Sequence, residues 1–207
     1  MFLLFFHPSH SGRKESTSGL TLIEMLVVIT IFLIMTAVVM ANFPAFRDRT
    51  ALQLIAQEIA TTIRQAQVYG IGTRAAGTEF QPHGIYLDLR QTNPFGLDNK
   101  SFILYADKVG STKGYDATDQ TVEKFAIRGA AEIVNLQVCS ASCSDPDPKK
   151  LDILFQRFYP EAKFFDSGAE LSGVSYVRIV IKSTRDPSNT RWVDIWNTGQ
   201  ITVKDPS

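Results

Sequence analysis

Residues 18–30 read SGLTLIEMLVVIT, and one position among them governs the rest of the chain. Glu24 stands at the front of an apolar run, and from Met25 to Phe46 there is no Asp, Glu, Lys or Arg. Crossing a bilayer core as helix takes about 20 apolar residues, so this run is long enough to span. A secretory signal peptide has a shorter apolar core, about 7–15 residues, and ends in a small-residue cleavage site that is missing here. An ordinary membrane anchor accounts for the length but not for Glu24. A lone carboxylate in a spanning helix costs roughly 2.5–3.5 kcal/mol on insertion scales, less near the helix start, and residues that carry such a cost tend to be functional. The flanking charges are Arg13 and Lys14 before the run, and Arg47, Asp48 and Arg49 after it. They give no sharp asymmetry from which to read topology.

The residues just ahead of the run, GRKESTSG over 12–19, are polar and short. Together with Leu20, Thr21, Leu22, Ile23 and Glu24 they resemble the prepilin cleavage motif of type IV pilins and pseudopilins: a basic leader, a small residue, a hydrophobic residue, an acid at a fixed position, then the span. The resemblance implies cleavage by a prepilin peptidase between Gly19 and Leu20, with Leu20 the new N-terminus and the site of N-methylation. Leu20 stands where the family usually has Phe, a departure that bears on methylation more than on cleavage. Glu24 becomes the fifth mature residue, which in the family pairs with the N-terminal ammonium of a neighbouring subunit. Such pairing offsets part of the cost of two charges in hydrocarbon. It also sets axial register, as a buried polar residue does in a coiled coil. Glu24 is therefore expected to be an assembly residue and not a catalytic one. Residues 1–19 are expected to be the removed leader, since the apolar opening MFLLFFHPSH is too short before Pro8 to span a bilayer.

The full chain has 21 basic and 21 acidic residues; without Arg13, Lys14 and Glu15 the mature chain keeps 19 and 20. That balance gives no general reason to expect nucleic-acid binding.

Beyond the run, Pro44 removes a donor and is expected to kink a continuous helix. After it Leu52, Ile55, Ile59, Ile63 and Ala66 recur every three or four residues and form one apolar helical face. Gly70 and Gly72 end the pattern. One helix is therefore expected from about Leu20 to Tyr69, roughly 75 Å long. Its first half, 20–44, belongs to lipid or a filament core, and its second half, 45–72, to a globular domain over 73–207. In that domain GIYLDLR (84–90), SFILYAD (101–107), TVEKFAI (121–127), EIVNLQV (132–138), LDILFQR (151–157), VSYVRIVIK (174–182) and TRWVDIWN (190–197) read as strands, with QITV (200–203) a short last one. The expected fold class is α+β and pilin-like: a long N-terminal helix, first half transmembrane, packed on one antiparallel sheet domain. The stretches AQEIATTIRQAQVYGIGTR, GIYLDL, FILYAD and VDIWNTGQITV resemble the GspH/FimT group of minor pseudopilins and minor pilins, over most of residues 18–203.

Little else carries chemistry. Cys139 and Cys143, in CSASCSDPDPKK, are a candidate small-loop disulfide, with free thiols the alternative. No metal site is expected, because there is no second Cys pair and the histidines are His7, His10 and His83. ADKVGSTKGYDATD (106–119) has Asp107, Asp116 and Asp119 among glycines, but Val109 and Ser111 stand where an EF-hand-type calcium loop wants Asp or Asn, so a polar turn is expected. Asp145 and Asp147 read as a solvated loop, and Phe164, Phe165, Trp192 and Trp196 as core, with exposed contact residues the alternative. There is no nucleophile elbow, HExxH or phosphate loop, and no catalytic residue or cofactor is expected.

The resemblance implies a structural subunit of a type IV pilus or type II secretion pseudopilus. Its partners would be the prepilin peptidase, other pilin or pseudopilin subunits, an inner-membrane assembly platform with its ATPase, and membrane lipid before assembly. Its place would be the inner membrane as a single-pass protein with an extracytoplasmic C-terminal domain, then a periplasmic or surface filament. One alternative is a DNA-binding minor pilin of the FimT branch. That branch uses an Arg-rich terminal element, whereas this chain has Gln200 there, leaving Arg178, Lys182, Arg185 and Arg191 to form a patch. The other alternative is an unprocessed signal-anchored protein.

Overall fold

The computed structural model describes residues 19–72, 75–76, 79–108, 114–145 and 149–206. Leader residues 1–18, with His7, His10, Arg13, Lys14 and Glu15, lie outside them, as do Val109, Ser111 and Asp147. The chain divides into two compact units, one ending at Pro44 and the other Ala45–Ser207. A single helix, α1, is assigned over Leu22–Ile71, and Pro44 stands inside it without ending it. It reaches two residues past the expected end because Gly70 is helical. A Cβ at Gly70 would collide with the carbonyl of Phe155, so the glycine there allows the helix and a strand end to touch. Gly72 then closes the last turn, its N–H donating to the Val68 carbonyl at 2.9 Å.

Among the described residues thirteen strands follow: β1 Ala75–Ala76, β2 Glu79–Phe80, β3 His83–Asp88, β4 Ser101–Ala106, β5 Gln120–Ala126, β6 Ala131–Cys139, β7 Cys143–Ser144, β8 Lys150–Phe155, β9 Ala162–Asp166, β10 Ala169–Glu170, β11 Tyr176–Ser183, β12 Thr190–Trp196 and β13 Ile201–Lys204. They form two main antiparallel sheets, in the orders β10-β9-β8-β3-β4-β5 and β13-β12-β11-β6-β7, with β1-β2 a small pair. The apolar stripe of α1, Leu52, Ala56, Ile59, Ile63 and Ala66, shares one core with both sheets: Ile85, Leu104 and Ile153 from the first, Ile133, Ile179 and Ile195 from the second.

The central strands of the first sheet, β8, β3 and β4, are buried on both faces, whereas β5 and β10 at its edges are largely exposed. Tyr86, Ile103, Tyr105, Leu154 and Phe165 alternate with the main-core residues and form a second cluster, against which Phe95 and Tyr115 pack. Strands covered on both sides lose the polar alternation that marks a half-exposed strand, which explains why β3, β4 and β8 read as near-continuous apolar runs. β9 was not expected as a strand at all. Its consecutive Phe164 and Phe165 enter opposite cores, so AKFFD shows no period of two. β11 does alternate, with Val177, Ile179, Ile181 and Ser183 buried and the residues between them half-exposed.

Burial predicts the energetics of the helix stripe. Ile63→Ala, at a fully buried position, should lower the unfolding free energy by about 2–5 kcal/mol. Leu54→Ala, at an exposed position of the same helix, should change it by less than about 0.5 kcal/mol. Denaturant unfolding of the two variants checks this. Equal losses would mean that the stripe is not what the sheets pack on.

Candidate functional site

The N-terminal site is built from the start of α1. Thr21 precedes the first helical residue and caps it: the Glu24 N–H donates to Thr21 Oγ1 at 3.3 Å, and the Met25 N–H to the Thr21 carbonyl at 3.1 Å. This is the Ser/Thr-x-x-Glu spacing of a capping box, a signal present in Thr21-Leu-Ile-Glu24 that the motif reading passed over. An acid in the first turn also opposes the positive end of the helix dipole. Thr21 thus satisfies a terminal donor. Among the described residues the Glu24 carboxylate has no hydrogen-bond or ion-pair partner. Gly19 and Leu20 precede the helix and are both exposed.

The helix that follows has no cover. Every described side chain from Leu20 to Arg47 is exposed in the isolated chain, including Phe32, Leu33, Met35 and Met40. Its hydroxyls are satisfied internally: Thr30 Oγ1 donates to the Leu26 carbonyl and Thr36 Oγ1 to the Phe32 carbonyl, both at 2.8 Å. That back-bonding lets a threonine sit in hydrocarbon without an unpaired donor. The segment is long and apolar enough to cross a membrane.

The β domain holds the other candidates. Cys139 ends β6 and Cys143 begins β7; they face each other in the hairpin register, and their Sγ atoms are bonded at 2.09 Å. Tyr176 Oη lies 3.5 Å from Cys143 Sγ. Trp192 and Trp196 are half-exposed on the outward face of the second sheet, not in the core as expected. They cover a buried charge. Asp194 has a fully buried side chain and accepts from Arg178 Nε at 2.7 Å, Arg178 Nη2 at 3.0 Å and Lys204 Nζ at 2.9 Å. The Arg178 guanidinium lies 4.0 Å from the Trp192 ring centroid. Burial acts to raise the Asp194 carboxyl, but its bonds with Arg178 and Lys204 prevail and hold it below the usual carboxylate range. Arg185 is tied to Asp48 at 3.0 Å, and Arg191 to Asp205 and Gln53, both at 2.9 Å. The arginines of the alternative nucleic-acid reading, Arg178, Arg185 and Arg191, are thus engaged by separate carboxylates on different elements.

Asp116 and Asp119 serve the β4–β5 connection. Asp119 accepts the N–H groups of Lys108 at 3.1 Å and Asp116 at 2.9 Å, and Asp116 accepts that of Thr118 at 2.7 Å. His83 is buried, its Nδ1 2.9 Å from the Gln81 carbonyl and its ring edge-on to Tyr69. Among the described residues no three His, Cys, Asp or Glu side chains converge as a metal site would require.

No protein-family model and no curated protein sequence matches the chain. A solved structure of the minor pseudopilin EpsH from the Type 2 Secretion System of Vibrio cholerae aligns with 75% of this chain and 98% of its own, at 12% identity and a TM-score of 0.43.

One buried acid gives a pH prediction. Asp152 on β8 accepts the Tyr115 N–H at 2.8 Å. Burial pushes its carboxyl up from 3.8 to about 7, against the opposing pull of that bond and of Lys150. Between pH 3.8 and about 7 the folded chain therefore holds a proton that the unfolded chain has lost. Stability from this group falls as pH rises through that window and is level above it. Asp152→Asn keeps an acceptor for Tyr115 and removes the charge. The variant and parent should match near pH 4, and the variant should be the more stable at pH 8, measured by denaturant midpoints at both.

Proposed function

We propose that this chain is a minor pilin or pseudopilin subunit. It is cut between Gly19 and Leu20 by a prepilin peptidase, held in the inner membrane by α1 and then assembled with other subunits into a type IV pilus or type II secretion pseudopilus. The observation that carries the reading is the contrast within one helix. Residues 25–46 carry no charge and have no cover in the chain, whereas Leu52, Ile59 and Ile63 are fully packed. A surface that large and apolar marks a membrane or protein contact. A lipid span and a filament core are the two environments that would cover it in turn.

Glu24 gives the reading its mechanism. Its carboxylate opens the apolar run and has no partner among the described residues. The ammonium group created at Leu20 of a neighbouring subunit would supply one. In lipid both groups reach the interface; in a filament the pair is shielded and fixes the axial offset between copies. The peptidase, the assembly platform and its ATPase are the partners this role requires, and no residue of the chain is assigned a catalytic task.

Glu24→Gln separates anchoring from assembly. The variant should be cleaved and remain in carbonate-washed membranes like the parent. Its incorporation into sheared or over-expressed filaments should fall by at least about tenfold, the order expected when one partner of a shielded ion pair is lost. Filament incorporation equal to the parent would contradict the role given to Glu24.

A further inference from the structure

Three segments of the β domain meet around the first turns of its part of α1. They are helix residues 45–52, the β5–β6 turn at 127–130 and the β11–β12 turn at 184–189. The two turns are joined, the Thr184 N–H donating to the Ala130 carbonyl at 2.9 Å. The second turn is fixed internally by Ser183 Oγ, which accepts the N–H groups of Arg185 at 3.2 Å and Asp186 at 3.3 Å. It is tied to the helix by the Arg185–Asp48 ion pair at 3.0 Å. Between them lies a cleft of about 140 Å³, lined by Arg128, Arg185 and Asp48 and by the apolar side chains of Ala51, Leu52 and Ile55. Arg47, Arg49, Arg128 and Arg185 are all exposed, and the three segments hold only Asp48 and Asp186 as acids. The excess of positive charge is local, because the whole chain is balanced at 21 basic and 21 acidic residues.

The position of this collar along the chain says what it would meet. Phe46 is the last residue of the uncharged run and Arg47 the next. At 1.5 Å per residue, helix residues 47–52 stand within about 10 Å of the run's end. If the run spans a bilayer, as the proposed function requires, the headgroup layer reaches about 5–8 Å beyond the run's end, so the start of this segment lies within it. Guanidinium groups match phosphate oxygens with paired donors, and Asp48 takes only one N–H of Arg185. The apolar side chains of the same cleft suit the glycerol and upper acyl carbons that a headgroup brings with it.

We propose that the Arg128–Arg185 cleft binds the headgroup phosphate of an anionic phospholipid at the membrane surface. Bound lipid would hold the folded domain against the bilayer while α1 is still inserted. It would have to be shed when the subunit is drawn out. The inference rests on the reading of residues 25–46 as a membrane span, which carbonate-resistant membrane retention tests separately.

The experiment is native mass spectrometry of the full-length chain in non-ionic detergent micelles, titrated with dioleoylphosphatidylglycerol, dioleoylphosphatidylcholine or inorganic phosphate. Phosphatidylglycerol should form a saturable one-to-one adduct at concentrations where the other two do not. The R128Q/R185Q double variant should weaken that adduct by about thirtyfold. Arg128→Gln alone, which leaves the Asp48 pair in place, should weaken it by about fivefold. Lys163→Gln, at a residue paired with Glu170 on the first sheet, should leave it unchanged. Equal binding of phosphatidylcholine, equally strong binding of inorganic phosphate, or an undiminished adduct in Arg128→Gln and the double variant would each overturn the proposal. Any of these results with membrane retention intact would leave the membrane-span reading standing.

Discussion

The β domain depends on one packing contact, in which Leu52, Ala56, Ile59, Ile63 and Ala66 of α1 meet the inward faces of both sheets. The alanines matter as much as the larger residues, because short side chains let the helix approach the strands closely. Gly70 extends that logic to backbone contact with Phe155. Polar ties then fix the helix along its length. Arg64 donates to the Ile201 carbonyl at 3.3 Å, and Gln67 Nε2 donates to the carbonyls of Pro160 at 3.1 Å and Gly199 at 3.0 Å. Each side chain bonded to a carbonyl in this way contributes about 1 kcal/mol, so the apolar stripe supplies most of the hold and the polar bonds supply the register.

The other half of the same helix obeys the opposite rule. It has nothing to pack on within the chain, and its sequence is adapted to that. No charge follows Glu24 until Arg47, and Thr30 and Thr36 close their hydroxyls onto the preceding turn. Those features suit hydrocarbon and suit a filament core equally well. That dual suitability is what a subunit moving between the two environments needs. The capped start of the helix at Thr21 leaves the Glu24 carboxylate available for a partner outside the chain.

The helix was legible from its sequence because its signals are local: an uncharged run, then a three-four apolar spacing, then glycines. The strand segments were also legible, since Ile, Val, Phe and Tyr cluster between turn residues. The number of sheets was not. Strands such as β3 and β4, buried on both faces, lose the alternation that tells inside from outside, and which strand pairs with which is a long-range fact. The missed β9 and the misplaced tryptophans have the same origin. Phe164 and Phe165 serve two cores, and Trp192 lies on the outward face because it covers the Arg178–Asp194 pair, whose members are 16 residues apart. At the N-terminal site the motif names Gly19, Leu20 and Glu24. The cap at Thr21 was written in the same four residues and needed only the spacing to be noticed.

The central claim is that α1 begins life behind a removable leader and ends it at a free Leu20 amine. The most direct test is the intact mass and N-terminal sequence of the membrane-extracted protein, produced with and without a prepilin peptidase. The account predicts an N-terminus at Leu20 only when the peptidase is present, and loss of that product in a Gly19→Val variant. A chain that keeps its leader in the presence of an active peptidase would contradict it and leave Glu24 a tolerated charge on an ordinary membrane anchor.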